Sequence, residues 1–173
     1  INAAGAWGDH VAKRAGIETI GLHPKRRTAF MVNAPVLDTS QWAMLDDAAH
    51  SWYVKPDGPQ LLCSPADETP SDPCDAKPLE EDIARAIERI NEATTLNIRS
   101  INSSWAGLRT FTSDRSMVIG PDPEEPSFIW CVGQGGTGIQ TSPAAGQLTA
   151  ELAINGETSE SLSNLNLDGL LPN

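Results

Sequence analysis

The sequence is poor in basic residues. It has 12 Lys and Arg against 23 Asp and Glu, for a formal net charge of −11 at pH 7, and no basic residue follows Arg115. A protein that binds nucleic acid needs a positive surface to neutralise phosphates. The composition therefore excludes that class and favours an acidic, solvated surface.

Long apolar runs are also missing. No run approaches the ~20 residues that a helix needs to cross a bilayer, so we predict no membrane span. The hydrophobic fraction of 39% and the charged fraction of 20% are typical of globular proteins. The sequence also lacks an initiator Met and begins Ile1-Asn2-Ala3-Ala4-Gly5. We expect the chain to be a portion of a longer protein.

Cysteine is scarce, with three residues in the whole sequence and no CxxC spacing. This pattern predicts neither a disulfide framework nor a zinc site, and it favours a reducing compartment, which we take to be the cytoplasm. The three histidines share no metal-ligand spacing. We therefore predict no metal site.

The pattern of what is present predicts a mixed α+β fold. Helices are expected at 7–15, at 78–96 with Pro78 in its first position, and at 143–155 with Ser142 as N-cap. Strands are expected at 20–36, 51–56, 60–64, 99–112, 117–119 and 128–132, mostly in an antiparallel sheet. Asp57-Gly58 predicts the turn of a hairpin. Residues 65–78 read as a surface loop, and residues 157–173 as a loosely packed tail.

The most informative local feature is the segment Gly133-Gln134-Gly135-Gly136-Thr137-Gly138, between an apolar strand and a helix. Glycines let backbone N–H groups approach a ligand, and the helix amino terminus carries about half a positive charge. Such a segment suits an anion or an electron-rich carbonyl. Its spacing differs from the GxGxxG dinucleotide fingerprint and from the P-loop. A simple flexible turn stays open as the alternative.

Two basic features are candidate binding sites. Arg109 lies on a strand of mostly small or apolar residues, where its guanidinium could hold a carboxylate through two hydrogen bonds. An internal salt bridge is the alternative for Arg109. The cluster Lys25-Arg26-Arg27 predicts a solvated strand edge, or else a surface that binds a partner.

Three segments together resemble a known family. These are Asn2-Ala3-Ala4-Gly5-Ala6-Trp7; Trp105-Ala106-Gly107-Leu108-Arg109, with Asp114 and Ile119-Gly120-Pro121 after it; and the residues from Gly133 to Gly146. They occur in this order, at fitting distances, over residues 1–155. The chain resembles the carboxyl-terminal half of the D-amino-acid oxidase family, and within it glycine oxidase and sarcosine-type relatives.

The resemblance implies two domains with different ligands. Residues 1–16 and 115–156 would be portions of an FAD-binding domain, including its carboxyl-terminal strand, glycine loop and helix. Residues 17–114 would form a substrate-binding domain with a largely antiparallel sheet and flanking helices. The cofactor would contact Ala3, Ala4, Gly5, Trp7, Gly135, Gly136, Thr137, Gly138 and Ile139. Gly107 stands where sarcosine oxidases carry their flavin-linking cysteine, so FAD would be bound non-covalently.

The resemblance also implies a reaction. Arg109 would hold the substrate carboxylate while hydride passes from an amino acid or N-methylated amino acid to the flavin, which oxidises the C–N bond. Tyr53 would line the site, with an ordinary sheet aromatic as the alternative. The partners would be a small amine or amino-acid substrate and the amino-terminal half of the same protein. Without that half we expect FAD to be absent or weakly bound and the chain to be inactive.

Two further possibilities stay open. A homo-oligomer is compatible with the sequence. A non-catalytic module that binds a small carboxylate or a protein is the alternative function.

Overall fold

The computed structural model describes residues 1–34, 38–163 and 167–172. The strands are β1 His23–Asn33, β2 Leu45–Asp46, β3 Tyr53–Asp57, β4 Gln60–Ser64, β5 Thr69–Pro70, β6 Ser103–Phe111, β7 Val118–Pro121 and β8 Ile129–Val132. The helices are α1 Gly8–Ala15, α2 Glu80–Ala93, α3 Gly138–Asn155 and α4 Glu160–Ser163. The predicted mixed α+β fold is confirmed. Among the described residues, no helix has both the length and the apolarity to span a bilayer.

The chain divides into two compact units. The loop unit contains Ile1–Lys25, Ser71–Pro73 and Arg109–Asn173, and the sheet unit contains Arg26–Pro70 and Cys74–Leu108. The sequence predicted domain boundaries after residues 16 and 114. The main boundaries between the two compact units lie after residues 25 and 108. Which ligand each unit binds stays a prediction.

The sheet unit is built on a sheet with the strand order β2-β3-β4-β1-β5, in which β6 also pairs with β1. The predicted hairpin is confirmed, because β3 and β4 pair antiparallel and Asp57 lies opposite Gln60. Helix α2 contributes Ile83, Ala86 and Ile90 to the core of this unit. Its other core members are Phe30, Val32, Trp52, Val54, Leu61, Cys63 and Ile98. Burial raises the pKa of the Cys63 thiol to about 12, so this cysteine is a neutral packing residue.

Helix α2 begins two residues later than the sequence predicted. Pro78 was expected in the first helical position, but the helix starts at Glu80 and Leu79 is its extended N-cap, with φ −100° and ψ 131°. Because an extended residue does not follow the helical period, the Leu79 side chain leaves the buried stripe and is 48% exposed.

The basic cluster is not a solvated strand edge, so that prediction is wrong. Arg26 binds two carboxylates, with Nε 3.2 Å from Asp67 Oδ2 and Nη2 2.7 Å from Asp82 Oδ2. Arg27 Nε donates to the Asp67 carbonyl at 2.7 Å, and its Nη2 lies 3.3 Å from Glu68 Oε1. Only 14% and 13% of these two arginine side chains is exposed. The segment 65–70 supplies all but one of these acceptors, so it is more than the surface loop that its prolines indicated.

The loop unit has two small cores. One contains Ala12, Val118, Trp130 and Val132, and the other contains Ile119, Ala145, Leu148 and Leu162. The second core overturns the prediction of a loosely packed tail, because Leu162 is 6% exposed. The Ser159 N–H also donates to Glu151 Oε2 at 2.7 Å. Leu162 belongs to this core, and Leu167 and Leu170 pack against it.

Replacing Ile90 by Ala tests the core of the sheet unit. Ile90 is completely buried, and removing three methyl or methylene groups from such a site costs about 2–5 kcal/mol. Ile154 is also helical but 81% exposed, so Ile154→Ala is the matched control and changes stability by less than about 0.5 kcal/mol. Denaturant unfolding measures both variants, and equal effects would contradict this core.

Asp122 gives the loop unit an acid sensitivity. Its carboxylate accepts the Trp130 indole N–H at 3.0 Å and the Glu124 and Glu125 amides at 3.1 Å each. The indole hydrogen bond, aided by the two amides, lowers the pKa of Asp122 in the folded chain.

A lowered folded pKa stabilises the fold above the ordinary carboxyl pKa, and this contribution is lost as the pH falls through the folded pKa. We therefore expect the free energy of unfolding to fall less steeply between about pH 5 and pH 2 in Asp122→Asn than in wild type. Asp72→Asn, at an exposed aspartate, should keep the wild-type slope. Chemical denaturation at several pH values measures the slopes, and an Asp122→Asn slope equal to wild type would refute the assignment.

Candidate functional site

The first residues of the chain pair with β8 in parallel. Asn2 forms a parallel bridge with Trp130. The Asn2 N–H donates to the Ile129 carbonyl at 2.7 Å, and the Cys131 N–H donates to the Asn2 carbonyl at 2.9 Å. Parallel strands present their carboxyl ends at the same edge, which is where ligands bind in open α/β sheets. The turn after Asn2 and the glycine segment after β8 therefore share one edge of the loop unit.

The turn after Asn2 is shaped by that buried side chain. Asn2 Nδ2 donates to the Gly8 carbonyl at 2.9 Å, and its Oδ1 accepts the Ala4 N–H at 3.3 Å. Gly5 has φ +54°, which favours glycine. The turn leads into α1, while the side chains of Ala3 and Trp7 are exposed. These exposed groups are among those predicted to contact the cofactor.

Helix α3 begins five residues before the predicted start. Its N-cap is Thr137 rather than Ser142, and Pro143 lies inside the helix. Proline has no N–H to donate to the Ile139 carbonyl, and the Ser142 hydroxyl donates to that carbonyl instead, at 2.8 Å. The positive end of α3 therefore comes directly after residues 133–137, which we call the glycine loop.

The glycine loop packs on the end of β6. The Gly135 N–H donates to the Thr110 carbonyl at 2.9 Å. A Cβ atom at Gly135 would lie 2.5 Å from Cε1 of Phe111, and one at Gly136 would lie 3.0 Å from Nη1 of Arg109. Residues two apart on a strand share a face, so Arg109 and Phe111 both face the loop. The structure thus brings together the predicted residues Arg109, Gly135 and Gly136.

The loop has no charged residue of its own, and three cations lie against it or against the Phe111 ring on which it packs. Lys25 Nζ lies 5.2 Å and Arg115 Cζ 4.1 Å from the centroid of the Phe111 ring, and Arg109 is the third. The first turn of α3 contains no acidic residue. The arrangement favours an anion or a group that develops negative charge.

The carboxylate of Asp114 is held by hydrogen bonds within the turn after β6. Asp114 Oδ1 accepts the Ser116 N–H at 2.9 Å and the Thr112 hydroxyl at 2.8 Å. These hydrogen bonds, the backbone one first, lower the pKa of Asp114. Its carboxylate stabilises the turn after β6 and stays charged.

Sequence reasoning missed Phe111, Lys25 and Arg115. The signal for Phe111 was available, because the alternation of β6 places it on the face of Arg109. No sequence pattern indicated that Lys25 and Arg115 both lie against the Phe111 ring.

The other predicted residues belong to the end of the glycine loop, to α3 or to the sheet unit. Thr137 is the last residue of the loop and the N-cap of α3. Ile139 lies in the first turn of α3, and its side chain is 95% exposed. Tyr53 belongs to the sheet unit, where it lies on β3 opposite Ser64 and is half-buried. Within the described ranges, no group of His, Cys, Asp and Glu could hold a metal ion.

Gly135→Ala tests the packing of the loop on β6. Gly135 combines φ +54° with contact to the Phe111 ring, so alanine adds left-handed strain of about 1–2 kcal/mol and overpacking of about 1–3 kcal/mol. Gly156 has φ +74° but open space around a Cβ, so Gly156→Ala measures the backbone strain alone. We expect the greater loss of stability for Gly135→Ala in thermal and denaturant unfolding. A loss no greater than that of Gly156→Ala would disprove the ring contact.

The comparisons with known proteins agree on one family. The family model described as FAD dependent oxidoreductase (DAO) matches residues 1–152. The chain is 27% identical over 175 residues to FAD-dependent oxidoreductase domain-containing protein 1 of Bos taurus. This match covers 90% of this chain and 35% of that protein. The chain is also 27% identical over 170 residues to glycine oxidase of Geobacillus kaustophilus. This match covers 96% of this chain and 43% of that protein.

The solved structures agree in fold. The crystal structure of glycine oxidase from Geobacillus kaustophilus matches with a TM-score of 0.78 and 23% sequence identity, over 99% of this chain and 44% of that chain. The chain therefore spans less than half the length of these relatives. The predicted family is confirmed, and FAD is the cofactor of its members. The chain belongs to the DAO family of FAD-dependent oxidoreductases.

Proposed function

We propose that the chain forms part of an FAD-dependent enzyme that oxidises the C–N bond of an amino acid or an N-methylated amino acid. The observation that carries the proposal is the position of Arg109, whose guanidinium lies against the glycine loop at the positive end of α3. Family membership supports the reaction class. The guanidinium supplies a fork of donors that suits the carboxylate of such a substrate.

The residues of this edge fit the flavin part of FAD. The flavin ring is apolar on its faces and has electron-rich carbonyl groups at one end. The first amides of α3 have no acceptor within the helix, and they are donors for such a carbonyl. The exposed side chains of Trp7 and Ile139 offer apolar surface. The residues proposed to hold FAD non-covalently are Ala3, Ala4, Gly5, Trp7, Gly135, Gly136, Thr137, Gly138 and Ile139.

The chain contributes position and electrostatics to the reaction. When bound, FAD accepts the hydride that leaves the substrate carbon. Arg109 holds the carboxylate so that this carbon keeps one orientation, which replaces a random encounter by a fixed geometry. The positive end of α3 stabilises negative charge at the adjacent carbonyl edge. The oxidised substrate is an imine, which water hydrolyses to an oxo acid and an amine.

Several features of the whole protein belong to this proposal. The complete enzyme would include an amino-terminal half as the partner of this chain, and the 173-residue chain alone would bind FAD weakly and be inactive. We also propose a cytoplasmic location, a substrate-binding role for residues 17–114 with Tyr53 lining the site, and FAD-binding roles for 1–16 and 115–156. A homo-oligomer is compatible with all of these.

A non-catalytic module is the weaker alternative. A partner-binding version of it depended on the cluster Lys25-Arg26-Arg27. Arg26 and Arg27 are instead occupied by Asp67, Glu68 and Asp82 within the sheet unit. Family membership also favours the enzyme.

Arg109→Ala tests the carboxylate role in the FAD-loaded protein. Loss of a charge-assisted pair between a guanidinium and a carboxylate costs ~2–5 kcal/mol, or about 30-fold to several-thousand-fold in kcat/KM. Arg109→Lys should restore little, because a point charge does not replace the fork. Flavin content should stay near wild type. Steady-state kinetics with amino acids and N-methylated amino acids measures these effects.

Arg14→Ala is the control, because Arg14 is an exposed arginine in the last turn of α1. It should keep wild-type kinetics. If Arg109 serves only an internal salt bridge, its variants lose thermal stability while the folded fraction keeps its kcat/KM. An unchanged kcat/KM for the best carboxylated amine would remove Arg109 from the site.

A further inference from the structure

We propose that Gly136 controls carboxylate binding, because its missing side chain sets the position at which the Arg109 guanidinium meets a substrate carboxylate. This inference rests on the proposed function. Arg109 touches the substrate in that proposal, whereas Gly136 acts through Arg109. Gly136 is therefore a positioning residue in its effect on the reaction.

The geometry singles out the guanidinium head. A Cβ built at Gly136 would lie 3.0 Å from Nη1, 3.3 Å from Cζ and 3.8 Å from Nε of Arg109. All three nearest atoms belong to that one side chain. A methyl group at this position would therefore press on the end of Arg109 that holds the carboxylate.

The backbone does not require glycine at position 136. Gly133 and Gly135 have φ +77° and +54°, in the left-handed region, whereas the φ of Gly136 lies outside that region. Alanine at 136 would thus keep an ordinary backbone conformation. The neighbouring Gly135 differs in both respects, because its Cβ would meet the ring of the buried Phe111. Gly135 serves the fold of the loop, and Gly136 leaves room for the guanidinium.

The expected displacement is small but matters for binding. The Arg109 head ends a flexible side chain, so it would move a few tenths of an ångström while the backbone stays in place. A misplacement of about 1 Å at a reacting centre costs on the order of 100-fold in rate. A shift of a few tenths of that distance scales to roughly 3- to 10-fold, and we expect carboxylate binding to weaken by about that factor.

Gly136→Ala in the FAD-loaded protein is the test, and Gly146→Ala is its control. Gly146 lies in α3, and no atom lies within 4 Å of a Cβ built there. Acetate and propanoate are titrated while the visible absorbance of the flavin is recorded, which gives a Kd without turnover. For Gly136→Ala we expect the Kd of both acids and the KM of the substrate to rise roughly 3- to 10-fold. The change in kcat should be smaller, the flavin content should match that of the control, and the Tm should not fall below that of wild type.

Gly136→Val adds a larger side chain at the same point and should raise the Kd further. A wild-type Kd and KM in Gly136→Ala would overturn the inference. So would a loss of flavin in parallel with the loss of acetate binding, because the added methyl group would then act through the flavin and not through Arg109.

Arg109→Ala, titrated in the same way, separates this inference from the proposed function. If Arg109→Ala loses acetate binding while Gly136→Ala keeps it, only the inference fails. If Arg109→Ala also binds acetate like wild type, the proposed function of Arg109 fails.

Discussion

The hydrogen bond from the Gly135 N–H to the Thr110 carbonyl holds the glycine loop against the end of β6. It requires the loop backbone to approach a strand whose neighbouring side chains, Arg109 and Phe111, both face it. At position 135 only a residue without a side chain allows this approach, and at position 136 a side chain would press on the Arg109 guanidinium. The position of the guanidinium, the start of α3 and the burial of the Phe111 ring all depend on it.

The two turns at this edge are built by different means. The turn after Asn2 is held by a buried amide side chain that bonds the backbone on both sides. The glycine loop is held by the Gly135 bond to β6 and by the Thr137 hydroxyl, which donates to the Gln134 carbonyl at 3.0 Å. A turn fixed by its own side chain keeps its shape by itself, whereas the loop follows any movement of β6. We therefore expect substitutions in β6 to change the conformation of the glycine loop more than substitutions in α1 change it.

Local patterns predicted local structure, and long-range contacts explain the rest. The β3–β4 hairpin followed from Asp57-Gly58, because turn chemistry involves only neighbouring residues. The start of α3 was misplaced because Pro143 imitates a first helical position, and the compensating hydroxyl of Ser142 is visible only in three dimensions. The roles of Arg26 and Arg27 were missed because their partners lie about forty residues or more away. Arg109 and the glycine loop were recognised, but not that they touch.

The distribution of charge completes the argument. The chain carries a net charge of −11, yet the stretch from Gly133 to Ala150 contains no charged residue. The positive field at the loop therefore comes from the α3 dipole and from cations on other segments, Lys25, Arg109 and Arg115. In the proposed enzyme, the α3 dipole and the Arg109 guanidinium would act on different groups. The helix end would bind the cofactor carbonyl while Arg109 would bind the substrate carboxylate, so a change at Arg109 would alter substrate binding without removing the donors proposed to hold the flavin.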